Sequence, residues 1–199
     1  MSRDQILAKI RQNKPAPLPL PDIPDFSRGR PDIVSLFIHA VEKGGGKVLP
    51  VSELSPWIEA EHPDAKTLAW ATPLQNNLEN PAISMIGPDS LKTILSPGDL
   101  EHIDLAVIPS GLGVAENGAV WITEQDSIHR VLPFITQHLA VLLPKNAIVQ
   151  DMHQAYGQLE VDETGFGVFI AGPSKTADIE QALVIGAQGA RSFTVFLMD

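Results

Sequence analysis

Cysteine is absent from the 199 residues. That excludes disulfides, thiolate zinc sites, cysteine-ligated iron–sulfur clusters and a cysteine nucleophile. Positive charge is scarce: 14 Lys+Arg stand against 24 Asp+Glu, a formal net charge of −10 with histidine neutral. Tracking nucleic-acid phosphates or holding to anionic lipid needs clustered cations, so neither partner is expected. Long apolar runs are missing as well. Those at 139–143 and 166–171 are strand-length, far short of the about 20 residues that a membrane-spanning helix needs. The opening MSRDQILAKIRQ spreads charges through its length and has neither an uninterrupted apolar run nor a small-residue cleavage site, so it does not read as a secretory leader. A soluble, cytoplasmic protein without membrane insertion is the expectation. What is present, 44% apolar and 19% charged residues, suits an ordinary globular protein with room for one well-buried domain.

Ser2-Arg3-Asp4-Gln5 has the capping-box pattern, and Ile6, Leu7 and Ile10 then share one face, which predicts a short amphipathic helix. KPAPLPLPDIP follows at 14–24. Proline at nearly every other position forbids helix and ladder bonding, so the segment reads as an extended arm, a tether or a docking motif for proline-binding domains. Residues 1–25 are assigned to this helix and arm, and 26–199 to a single α/β domain. In that domain Ile33, Leu36, Phe37, Ala40 and Val41 form a helical stripe closed by three glycines at 44–46. Strands are expected at 47–51 and 67–71, with a helix starting at Ser55-Pro56 between them. The stretch 72–99 shows no readable period. From Ile103 onward, apolar strands at 105–108, 119–123, 139–143, 168–171 and 193–197 accompany helical patterns at 148–159 and 177–185. Continuously apolar strands separated by helices mean a mainly parallel sheet with helices on both faces. Trp57, Trp70 and Trp121 fall in these elements and are assigned to the core.

Two segments carry candidate chemistry. The first is PSGLGVAENG at 109–118. Its glycines invite a dinucleotide-binding reading, but strand-like AVWIT follows instead of a helix, so no helix end is available for a pyrophosphate. Glu116, beside the Asn117-Gly118 turn, is either a base, nucleophile or polar anchor, or a turn carboxylate accepting backbone N–H groups. The second segment is GPSKTADIE at 172–180, placed between a strand and the expected helix. Gly172, Ser174, Lys175 and Thr176 at a helix start would make an anion site; Asp178 and Glu180 would equally complement the helix dipole unaided. Both segments follow strands, so they are expected side by side at the carboxyl edge of the sheet, lining one pocket for a small anionic ligand. His39, His62, His102, His129, His138 and His153 show no metal-ligand spacing and are read as surface or hydrogen-bonded histidines. No metal and no cofactor is expected.

Taken together, IDLAVIPSGLGVAENGAVWIT, RVLPFITQHLAVLLPKNAIV and GPSKTADIEQALVIGAQGARSFTVFLMD resemble the LUD domain family, in its lactate-utilization protein C (YkgG) group. Asn117 and Ala119 replace two threonines usual in the first loop, removing two hydroxyls suited to an anion. Gln188 and Ala190 stand where the family often has histidine and proline. The resemblance implies a fold like that of the sugar-phosphate isomerase and coenzyme A transferase superfamily. It also implies a non-redox part in oxidising L-lactate to pyruvate, beside partners carrying iron–sulfur centres. Because Glu116-Asn117-Gly118 is similar to a loop whose glutamate takes part in covalent catalysis in coenzyme A transferases, the alternative is a stand-alone transferase- or ligase-like enzyme using Glu116.

Overall fold

A computed structural model describes residues 2–15, 18–19, 21–22, 24, 32–72, 81–159, 165–177 and 183–199. The chain divides into two compact units, Met1–Arg30 and Pro31–Asp199. In the first, α1 (Arg3–Gln12) starts at a complete capping box: the Gln5 N–H donates to Ser2 Oγ, and the Ser2 N–H donates to Gln5 Oε1. No α1 residue is buried, and Ile6 and Ile10 stay about half exposed. The described arm residues after Asn13 form neither helix nor strand and are all exposed.

The second unit opens with α2 (Ile33–Lys43), capped by Asp32, whose Oδ1 accepts the Ser35 N–H. The helix buries Phe37 and Val41. Then come β1 (Lys47–Pro50), α3 (Leu54–Glu61), β2 (Thr67–Trp70), β3 (Ser84–Ile86), α4 (Pro88–Thr93) and β4 (Leu105–Pro109). Next are β5 (Leu112–Val114), β6 (Ala119–Thr123), α5 (Glu124–Ser127), α6 (Leu132–Ile135) and β7 (His138–Pro144). The remainder is β8 (Ile148–Val149), α7 (Met152–Gln158), β9 (Gly167–Ile170), β10 (Lys175–Ala177), β11 (Leu183–Ile185) and β12 (Ser192–Met198).

Six strands form a wholly parallel sheet in the order β1-β12-β7-β4-β2-β3. The continuous apolar runs have the anticipated cause: both faces are covered. Side chains alternate along each strand, so Leu105, Val107, Ala140, Leu142 and Phe196 pack with Leu54, Trp57 and Ile58 of α3. Ala106, Ile108, Leu139, Val141, Phe193 and Val195 face the other way, onto Phe37 and Val41 of α2 and onto Val120 and Ile122 of β6. The α/β class and the parallel sheet flanked by helices are therefore as the sequence suggests. Trp57 and Trp70 are buried as expected, while Trp121 is only half-buried.

The layer on that second face differs from expectation. A smaller sheet, ordered β8-β5-β6-β9 and partly antiparallel, occupies ground where helices were anticipated. The glycine-rich segment after β4 is the bend into it. Ser110 holds the bend, its buried Oγ reaching the Trp121 carbonyl at 2.7 Å and the Leu112 carbonyl at 3.0 Å. The pattern at 148–159 divides in two, because Ile148 and Val149 pair with β5 and the helix waits for Asp151, which caps α7 by accepting the Gln154 N–H. The expected helix at 177–185 is corrected outright. Its described ends are the antiparallel ribbon β10–β11, with Lys175 opposite Ile185 and Ala177 opposite Leu183. The β-branched Thr176, Val184 and Ile185 suit an extended backbone, and Ser174 prolongs the pairing by accepting the Gly186 N–H.

Candidate functional site

A cavity of about 310 Å³ lies against β9, between Val168, Phe169 and Ile170 on one side and Pro133, Phe134 and Leu139 on the other. Gly172, Ser174, Lys175, Gln188, Gly189 and Ala190 complete its wall. Apolar surface thus dominates, with a few polar groups to orient a ligand, the usual makeup of a small-molecule site. Ser174 is fixed by its backbone, whose N–H donates to the Ala190 carbonyl at 2.8 Å. Its hydroxyl and the Gln188 amide have no hydrogen-bond partner among the described residues, so both can serve a ligand.

Lys175 is partly committed elsewhere. Its Nζ donates to the Gly44 carbonyl at the C-terminal end of α2, where a cation complements the helix dipole. Two of its ammonium protons remain for a ligand at the rim. Gly172 sits at the same place with φ +87°, and a Cβ there would lie 2.8 Å from the Gly44 oxygen. Only glycine fits so close beneath the helix end. Ribbon geometry, rather than a helix N-terminus, therefore presents Ser174 and Lys175, and Thr176 belongs to β10. Asp178 lies outside the described residues.

The Glu116 turn joins β5 to β6. In the β6–β9 ladder Val120 pairs with Ile170, so Gly118 and Gly172 leave the small sheet at the same end. Among the described residues, Glu116, Asn117 and Gly118 do not belong to the wall of this cavity. Glu116 is exposed, and its Oε2 accepts the Met152 N–H at 3.0 Å, at the start of α7. Asn117 closes its own turn, Oδ1 accepting the Ala119 N–H at 3.0 Å. Gly118 has φ +70°, and a Cβ there would lie 2.6 Å from the Val41 nitrogen of α2.

A second cleft of about 290 Å³ opens where β4, β7 and β12 begin, lined by residues 61–65 with Asp104, Gln137, His138 and Arg191. Its wall and the first cavity share β7 and the segment leading into β12: Leu139 and Ala190 line one, His138 and Arg191 the other. His62 is sandwiched between Trp57, edge-on at 4.5 Å, and His138, tilted at 4.1 Å between ring centroids. Burial, and then the facing His138, hold the His62 imidazole down to about 4. Burial followed by Arg191 also lowers His138, whose Nδ1 lies 2.8 Å from Ser192 Oγ. Sequence reasoning passed over these histidines singly. The available signal was positional: Asp104, Gln137 and Arg191 each stand one residue before an apolar strand of one sheet. Both sites thus sit at the amino edge of the parallel strands, not the anticipated carboxyl edge.

Comparison with known proteins adds to this geometry. The family model of the LUD domain matches residues 99–198. The chain is 30% identical over 105 residues to lactate utilization protein C of Oceanobacillus iheyensis, covering 50% of this chain and 45% of that protein. It is 28% identical over 128 residues to the protein of that name from Shouchella clausii, covering 61% and 55%. With that of Geobacillus thermodenitrificans it shares 33% over 95 residues, covering 45% and 40%. The chain spans about half the length of the curated relatives it matches. Among solved structures, a DUF162 family protein from Deinococcus radiodurans shares the fold, with a TM-score of 0.64 at 15% identity over 86% of this chain and 99% of that one.

Proposed function

The chain belongs to the LUD domain family, and from that premise we propose that it serves lactate utilization as the non-redox subunit of an assembly oxidising L-lactate to pyruvate. Partner proteins bearing iron–sulfur centres take the two electrons that lactate loses. A chain without cysteine supplies no thiolate for such a cluster, which agrees with this division of labour. The observation that carries the reading is positional. Every residue lining the Ser174 cavity lies within the stretch 99–198 matched by the family model, and the curated relatives resembling this chain bear the name lactate utilization protein C.

The ligand of that cavity is a small carboxylate or other anion. The Ser174 hydroxyl and the Gln188 amide donate to it, the free ammonium protons of Lys175 supply charge at the rim, and the Phe134–Val168 walls shield it from water. The test is recovery of the tagged full-length chain from native extract, followed by a lactate-oxidation assay on what co-purifies. Iron–sulfur proteins and lactate-dependent electron transfer are expected in the recovered complex. Ser174→Ala combined with Gln188→Leu is expected to leave the complex intact and lower its activity about tenfold or more. Recovery without such partners, or without lactate-dependent activity, overturns the reading.

A further inference from the structure

We infer that the cleft between His62 and Arg191 is a second binding site, for a small organic carboxylate, separate from the Ser174 cavity. Its polar side chains are held in fixed register. Arg191 N–H donates to the Gln137 carbonyl at 2.8 Å and His138 N–H to the Asp104 carbonyl at 2.9 Å, so Asp104, Gln137 and Arg191 stand in a row just ahead of the neighbouring strands β4, β7 and β12.

Glu61 is paired with Lys47 at 2.6 Å. Asp104 Oδ2 accepts the N–H groups of Lys66 and Thr67 at 2.8 and 3.0 Å. Asp64 is exposed to solvent at the mouth. Arg191, in a chain of net charge −10, makes no ion pair among the described residues, although these acids line the same cleft. A guanidinium left free there presents two parallel donors, the geometry that a carboxylate matches.

The wall points the same way. His62 lines the cleft, and its Nε2 is buried without a hydrogen-bond partner among the described residues, a costly state in a closed site. Both imidazoles are neutral near pH 7, so His138 and the Gln137 amide can bind a hydroxyl or keto oxygen without bringing further charge. A space of about 290 Å³ holds on the order of ten water-sized groups, enough for a carboxylate of a few carbons. No set of three metal-ligating side chains exists among the described residues, which sets a metal ion aside. This inference does not rest on the lactate reading, and its test separates the two.

Imidazole nitrogen signals of His62 and His138 are followed by NMR in the full-length chain during titration with acetate, L-lactate and inorganic phosphate. Saturable shifts are expected with acetate and L-lactate. Arg191→Gln is expected to weaken that response about tenfold or more, and Arg191→Lys to fall between. Ser174→Ala is expected to leave it unchanged, whatever it does to complex activity. The inference is overturned if neither carboxylate moves the two signals, if phosphate alone does, if Arg191→Gln responds like the parent, or if Ser174→Ala abolishes the response.

Discussion

His62 and His138 face each other with ring centroids 4.1 Å apart and planes tilted by 44°, two imidazoles that cannot both take a proton and stay where they are. Burial of His62, and then the facing His138, give stability a pH dependence. The folded value of His62, about 4, lies below the ordinary 6.5, so the unfolded chain takes up the proton first as pH falls. Stability linked to the ring is whole above about 6.5 and is lost progressively down to about 4. Since the ring is only partly buried, the expected loss is on the order of 1–2 kcal/mol. Urea midpoints measured across that window should fall with pH in the parent and less steeply in His62→Phe.

Gly118 carries the next expectation. With φ +70° and the Val41 backbone nitrogen 2.6 Å from any Cβ, Gly118→Ala adds backbone strain and a clash that no side-chain rotation relieves. A loss of at least about 2 kcal/mol is expected, read as a lower denaturant midpoint with an unchanged slope.

Ser110→Ala tests the bend between the two sheets. The hydroxyl is buried and lies between two carbonyls and the Leu112 N–H. Its removal takes one hydrogen bond from the Trp121 carbonyl and one from the Leu112 carbonyl, both inside the bend. A loss of about 1–3 kcal/mol is expected, together with faster amide exchange in β5 and β6.

Glu116→Gln separates a structural carboxylate from a reacting one. The acceptor for the Met152 N–H survives the change, and the side chain is exposed. Stability should fall by about 1 kcal/mol or less, and lactate oxidation by the recovered complex should persist. Complete loss of activity with an intact complex would restore Glu116 as the reacting group.

The local signals legible in the sequence were the strong ones. Ser2-Arg3-Asp4-Gln5 marked a capping box that forms, and the apolar runs around Val107, Val141 and Val195 became the central parallel strands. What escaped was decided between elements. The stretch at 177–185 has helical spacing, yet its described ends pair as a ribbon, because Ser174 and Gly186 are joined by the ladder rather than by a turn. The site was half-legible for the same reason. Gly172, Ser174 and Lys175 do reach a cavity, whereas Glu116 turns to α7, a partner that no local pattern announces. The His62 cleft is assembled from residues up to 130 positions apart and has no sequence motif at all.

One feature of the sheet order governs how the chain must come into being. β12 lies between β1 and β7, with Thr194 opposite Lys47 and Ser192 opposite His138. During translation β1 and β7 emerge long before the strand that joins them, so the nascent chain carries a vacant slot flanked by two apolar edges. Such a slot admits any extended segment that arrives first, which is the circumstance in which chaperones act and neighbouring chains on a polysome associate wrongly. Completion of the sheet is a late, long-range event, and folding should be slow for a chain of this size.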